Sequence, residues 1–283
     1  FMNTLETGLY IVSTPIGNLD DITLRSLEVL KKSDIILCED TRRSLKLLNH
    51  FKIKKKLVSY HKFNEQKELQ KIIEYLNDGK ILSLISDAGT PTISDPGVLL
   101  VKACIEKKIK IFPIPGPSSI TSAISISGFN DKFLFFGFLP KTENELIKVL
   151  NNLRELDFSI VFFLPGIKIN FYIKFFKEYF SNREIVIARE ITKIHETFYR
   201  NKINTIKPFK VALKGELTIV ISKIKHDNKV ELKLDQNFID QIKKYLKKYS
   251  LKDVVELISV KEKISKKKIY DICLKIKNEK KNN

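Results

Sequence analysis

Through the first half of the chain, short apolar runs alternate with stretches in which apolar residues return every three or four positions. Gly8-Leu9-Tyr10-Ile11-Val12-Ser13 reads as a strand. Thr23 to Lys32 carries Leu24, Leu27 and Leu30 at helical spacing and reads as a helix. Asp34 to Cys38 is a second strand, Thr41 to His50 a second helix, and Leu57-Val58 marks a short third strand. Asn64 to Asn77, closed by Gly79, is a helix. Ile81 to Ile85 is a buried strand, Gly97 to Lys107 a helix, and Ile109 to Pro113 a strand. Repeated β-α units predict a mostly parallel sheet with helices on both faces.

The pattern breaks at Pro113-Ile114-Pro115-Gly116-Pro117, where a domain boundary is expected: residues 1–115, then 116–225. The second part predicts strands at Phe133–Phe136, Phe158–Phe163, Glu184–Ala188, Glu196–Arg200 and Glu216–Ser222. Helices fall at Glu143–Glu155 and Lys168–Phe180. His226 to Asp235 reads as a linker and 236–283 as a basic helical tail. In that tail Gln236 to Ser250 is one amphipathic helix. Ser250 and Ser265 are suited to cap Leu251–Ser259 and Lys266–Lys277, a pair resembling a helix-turn-helix. Lys280 to Asn283 is expected to fray.

The 283 residues are 43% hydrophobic and 30% charged, a globular balance. The net charge of +18 suits a polyanionic partner. Lysine far outnumbers arginine, however, and such a bias also arises from AT-rich coding, so charge alone leaves both readings open. Cys38, Cys104 and Cys273 are widely spaced and form no CxxC. The four histidines have no metal-ligand spacing, so neither a disulfide framework nor a metal site is expected. No signal-like segment follows Met2, and the longest uncharged stretch, Ile111 to Asn130, is broken by prolines. A cytoplasmic protein is expected.

Three loops stand at the ends of expected strands, where open parallel sheets place ligands. They are Thr14-Pro15-Ile16-Gly17-Asn18, Ser86-Asp87-Ala88-Gly89-Thr90-Pro91 and Pro115-Gly116-Pro117-Ser118-Ser119. Glycine lets a backbone approach a ligand closely and proline fixes a loop. Neither GxxxxGK[ST] nor GxGxxG after a strand occurs, which argues against a nucleoside triphosphatase and a standard dinucleotide fold. Polar clusters lie at Glu39-Asp40-Thr41-Arg42-Arg43, around His61, and at Ala188-Arg189-Glu190. The last also reads as a structural ion pair.

Thr14 to Leu19, Glu39 to Arg42, Ser86 to Pro91, Asp95-Pro96-Gly97, Pro115 to Ser118, Gly137 to Pro140, Ala188 to Lys193 and Glu196-Thr197 occur in that order. The series closely resembles the bacterial 16S rRNA (cytidine-2'-O)-methyltransferase I family of the tetrapyrrole methylase superfamily. The resemblance covers nearly the whole chain. It implies a two-domain α/β (class III) methyltransferase fold with a small helical C-terminal extension, and S-adenosyl-L-methionine in the cleft between the domains. It further implies a homodimer and a decoding-centre cytidine ribose of the small ribosomal subunit as target.

By the same resemblance, Thr14, Pro15, Asp87, Ala88, Gly89, Thr90, Pro91, Ile93, Ser118, Ser119, Ala188, Gly215, Glu216 and Leu217 are expected to hold the cofactor. A ribose hydroxyl is a weak nucleophile, and Asp87, His61 and Glu190 are the expected proton acceptors. Arg42, Arg43, Arg189, Lys266, Lys267 and Lys268 are expected to hold RNA phosphates. The chain departs from the family at Phe163-Leu164-Pro165-Gly166-Ile167-Lys168, where Tyr-Glu-Ser and His-Arg are usual, and at Phe63, where a second histidine is usual. A tetrapyrrole C-methyltransferase is the nearest rival, disfavoured by the Thr-Pro-Ile-Gly-Asn start and the lysine-rich tail. A non-catalytic rRNA-binding assembly factor is the other, and it has no use for a three-loop cleft.

Overall fold

The computed structural model describes residues 5–129, 132–224, 236–261 and 266–279. Met2, the linker at 226–235, the Ser265 cap and the end at 280–283 lie outside the described residues. The described residues up to 224 form one compact unit and those from 236 a second.

The first unit opens with a five-stranded sheet: β1 (Gly8–Val12), β2 (Ile35–Cys38), β3 (Lys56–Ser59), β4 (Ile81–Ile85) and β5 (Ile111–Ile114). Its order is β3-β2-β4-β1-β5 and every pairing is parallel. Successive side chains point to opposite faces. Leu9, Ile35, Leu37, Leu82 and Leu84 pack on α3 (Glu65–Asn77) and α4 (Val98–Glu106). Tyr10, Val12, Ile36, Cys38, Ile85 and Ile114 pack on α1 (Leu24–Lys32) and α2 (Thr41–His50). Burial of both faces is why these strands read as continuous apolar runs.

The second sheet holds β6 (Phe133–Phe138), β7 (Ser159–Pro165), β8 (Glu184–Arg189), β9 (Thr197–Lys202) and β10 (Glu216–Ile221), in the order β6-β7-β10-β8-β9. Only β6-β7 is parallel. One face buries Ile160, Phe162, Leu164, Ile187 and Ile219 beneath α6 (Glu143–Leu153) and α7 (Ile169–Tyr179). The other face, with Val161, Val186, Ala188 and Val220, is covered by α5 (Ser119–Ser125) and by Ile16 from the loop after β1. Arg183 is buried at one end, its guanidinium donating to the carbonyls of Arg154, Leu156, Phe158 and Ser222.

The second unit is three helices, α8 (Gln236–Leu246), α9 (Leu251–Lys261) and α10 (Lys266–Glu279), around their own core of Ile242, Val254, Ile258, Ile269, Cys273 and Ile276. The helix expected to run to Ser250 stops at Leu246. The N–H groups of Lys248 and Tyr249 both turn back to the Tyr245 carbonyl, at 2.9 Å each. This frees the Ser250 hydroxyl to accept from Asp253 N–H and so to cap α9.

Candidate active site

The connection from β1 runs across β4 to β2, and that from β4 runs across β1 to β5. The chain therefore leaves neighbouring strands in opposite directions, and a crevice opens at their carboxyl ends. The loops there are zipped together. Thr14 N–H donates to Gly89 O at 2.9 Å and Gly89 N–H to Thr14 O at 3.0 Å. The Ser13 and Thr90 hydroxyls lie 2.9 Å apart. Gly116 and Pro117 of the third loop line a cleft of about 280 Å³ with Ile16, Asp21, Thr23, Ser122 and Thr192. The first and third loops thus share one cleft and the second is tied to the first by backbone, although Thr14 and Pro15 are themselves buried.

Carboxylates crowd the adjoining edge. Asp87 accepts from Asp40 N–H at 3.3 Å and pairs with Arg43 at 3.1 Å. Asp40 caps α2 and receives Arg42 in a two-pronged contact, which holds its carboxyl far below the usual range. Burial, then the Asp87 carboxylate, raises Glu39. Burial, then Glu39, pushes Asp95 up to about 6, with Asp87 and Glu216 adding to the shift. In a chain of +18, this local excess of carboxylates fits a cationic ligand.

The loop after β8 closes the crevice from the second sheet. Glu190 N–H donates to Glu216 O at 3.0 Å, and Glu216 N–H donates back to the Glu190 carboxylate at 2.9 Å. Lys193 bridges Glu190 and Glu216 at 3.1 Å each. Burial works to raise Glu190, but the Glu216 N–H and Lys193 outweigh it and leave the carboxyl lowered. Gly215, at φ 92°, has room only for hydrogen: an added Cβ would fall 2.4 Å from the Glu190 carboxylate. Asn18 N–H donates to the Thr192 hydroxyl at 3.0 Å, and a Cβ on Gly17 would meet it at 2.7 Å. Thr92, Ser94, Glu190 and Thr192 all have positive φ. Left-handed backbone at non-glycine residues is costly and marks loops that the surrounding structure holds.

Of the residues expected from sequence, Asp87, Ala88, Gly89, Thr90, Pro91 and Ile93 share the crevice loop. Ser118 and Ser119 open α5, whose Ser122 lines the cleft. Ala188 and Leu217 are buried core residues, leaving backbone as their means of contact, whereas the Glu216 carboxylate is exposed. Arg189 is spent on Lys214 O and His195 O. His61 sits beyond β3, its Nδ1 accepting Phe63 N–H at 3.2 Å. Lys266 pairs with Glu256 at 3.0 Å, and the Lys267 and Lys268 side chains lie outside the described residues. Sequence reasoning gave no role to Asp95, Glu39 or Asp21. Asp95 belongs to the run Asp95-Pro96-Gly97, but nothing in composition marks a carboxyl that burial will raise. Asp21 has a buried carboxylate oxygen without a partner, among the described residues, on the cleft wall.

A parallel α/β sheet and a mixed sheet, joined by strained loops beside a cluster of carboxylates at the strand ends, define a two-sheet α/β scaffold. Residues 8–207 match the family model described as Tetrapyrrole (Corrin/Porphyrin) Methylases. The chain is 44% identical over 217 residues to ribosomal RNA small subunit methyltransferase I of Thermotoga maritima, covering 76% of this chain and 97% of that relative. It is 43% identical over 280 residues to the protein of the same name from Rickettsia prowazekii, covering 96% and 98%. A solved diphthine synthase superposes with a TM-score of 0.60 at 15% identity, covering 76% of this chain and 89% of that one, a likeness of fold. The chain belongs to the tetrapyrrole methylase family, in its branch of ribosomal RNA small subunit methyltransferases I. The Thermotoga relative is matched over nearly its whole length by 217 residues, so it has no room for both units seen here.

Proposed function

We propose that this protein methylates small-subunit ribosomal RNA, using S-adenosylmethionine, on the ribose 2'-oxygen of the decoding-centre cytidine 1402. The observation that carries the reading is the cluster of carboxylates Glu39, Asp87 and Asp95 beyond the carboxyl ends of β2 and β4, in a chain otherwise strongly basic. When bound, the cofactor supplies a methyl group on a cationic sulfur. Glu39, Asp87 and Asp95 favour a cation there, and the zipped loops fix its position. Alignment is the larger part of such a displacement. The two halves, 1–115 and 116–225, act as the two methylase domains, and the Asn18–Thr192 and Ile16 contacts hold them at the crevice.

The ribose hydroxyl gives up a proton, and the acceptor must be free to take it. Asp87 is held by Arg43 and Asp40 N–H, and Glu190 by Glu216 and Lys193. Asp95 has no ion pair among the described residues, takes a hydrogen bond from the Ser86 side chain and lies near the Glu39, Asp87 and Glu216 carboxylates, and we assign it the proton-accepting role ahead of Asp87, Glu190 and His61. Arg42 and Arg43, with side chains 87% and 70% exposed, present guanidinium groups for RNA phosphates beside it. The protein acts as a homodimer in the cytoplasm. Phe133, Leu134, Phe136 and Phe138, exposed along the edge strand β6, offer apolar surface for a second copy.

Calorimetric titration with S-adenosylmethionine tests the crevice. Micromolar binding is expected, weakened at least tenfold in Asp87→Asn. An absence of binding to the wild-type protein would remove the reading.

A further inference from the structure

The three-helix unit has two properties that the crevice does not explain. It builds a core from its own residues, Ile242, Val254, Ile258, Ile269, Cys273 and Ile276. The Thermotoga relative carries the methyltransferase name without the length to include it. The unit is therefore a separable addition to the catalytic body. From His226 onward the chain has 16 lysines, no arginine and nine carboxylates, so the addition is strongly basic.

Lys244 lies in the last turn of α8, and Lys247 and Lys248 sit in the turn that follows it. Lys252 follows in the first turn of α9. All four are exposed, and no carboxylate pairs with any of them among the described residues. Between them the turn displays Tyr249, 53% exposed. Apolar residues of α8 face the other way: Ile242 is buried, and Phe238, Ile239 and Leu246 pack on the core. Lys266, at the start of α10, carries an exposed ion pair with Glu256. Unpaired lysines around an exposed aromatic ring match an RNA strand, whose phosphates take the charges and whose unstacked bases take the ring.

We propose that the α8–α9 turn, through Lys244, Lys247, Lys248, Lys252 and Tyr249, is an RNA-holding surface that anchors the substrate without entering the chemistry. This rests on the reading of the body as an RNA methyltransferase and names the second place where that RNA is held. The surface contributes to KM and leaves kcat to the crevice.

The test uses the full chain carrying Lys244→Gln, Lys247→Gln, Lys248→Gln and Lys252→Gln together, and separately Tyr249→Ala. The substrate is a 16S rRNA fragment containing the decoding-centre helix. Binding is measured across a salt series, and methyl transfer under saturating S-adenosylmethionine. Each phosphate contact contributes about 0.7–0.9 to the slope of log affinity against log salt, so the fourfold variant should lose about 3 from that slope. KM for RNA should rise at least tenfold, with kcat and cofactor affinity unchanged. Tyr249→Ala should weaken binding several-fold with no change in slope. A chain ending before residue 236 should reproduce the fourfold variant's rise in KM, which covers any misfolding of the altered tail. Methyl transfer with slope and KM unchanged in both altered proteins would overturn the proposal. RNA binding with the expected slope loss but no methyl transfer by the wild-type protein would instead overturn the methyltransferase reading and leave this surface standing.

Discussion

Asp95 is where the electrostatics of the crevice bear most directly on stability. Burial and the Glu39 carboxylate raise its carboxyl from 3.8 to about 6. The folded chain therefore keeps, between those values, a proton that the unfolded chain releases. Stability from this group is fullest below 3.8 and falls as pH rises through about 6. A shift of about 2 units at about 1.4 kcal/mol per unit sets an upper limit of about 3 kcal/mol. The crevice is open to water on one side, and screening reduces this to about 1–2 kcal/mol. Asp95→Asn removes the charge and with it the penalty. Relative to wild type, the variant should gain about 1–2 kcal/mol on going from pH 4 to pH 8, read by urea unfolding at both values. At the higher pH its melting point should move upward by several degrees relative to wild type, at about 2–4 °C per kcal/mol. The same variant should lose about 100-fold or more in kcat, as the loss of a proton acceptor does. A stability difference that stays constant or shrinks between the two pH values would refute the electrostatic argument. A gain in stability with unchanged kcat would refute the proton-accepting role alone.

Three further outcomes follow from the geometry. Gly215→Ala forces a Cβ into the Glu190 carboxylate at a positive φ; thermal unfolding should show a loss of about 1–3 kcal/mol, and cofactor affinity should fall with it. Arg43→Gln removes the partner of Asp87 and one exposed guanidinium; the salt slope of RNA binding should drop by about 1, while cofactor binding persists. Arg183→Met leaves four carbonyl contacts without their donor; denaturant unfolding should show a loss of about 2–4 kcal/mol, with no specific effect on KM.

Much of the scaffold was legible because local patterns and tertiary burial agree. The runs Gly8–Ser13 and Ile81–Ile85 are apolar on both faces, and the structure buries both. The three small-residue loops were legible as a group because parallel strands must deliver them to one edge. The helix ending at Leu246 was less so: Lys247 to Tyr249 are good helix formers on the same periodicity, and the stop depends on the Tyr245 carbonyl being taken twice. The roles within the crevice were harder still. Glu190 is an acid after a strand in any reading of the sequence. Only the long-range return of Glu216 N–H and Lys193 shows it to be an anchored ion. Asp95 presents the reverse case, an ordinary aspartate until folding sets it against Glu39 and Asp87. The Lys244–Lys252 surface was hidden inside a tail that is basic throughout, and it is the turn between α8 and α9 that gathers its four lysines around Tyr249.

The most direct measurement is transfer of a tritiated methyl group from S-adenosylmethionine to small ribosomal subunits isolated from cells lacking the modification. Label is expected in a single alkali-resistant dinucleotide, which is the mark of a methylated ribose 2'-oxygen, at the decoding-centre cytidine. Label on a base, at another site, or absent from the RNA while the protein binds the cofactor would contradict it.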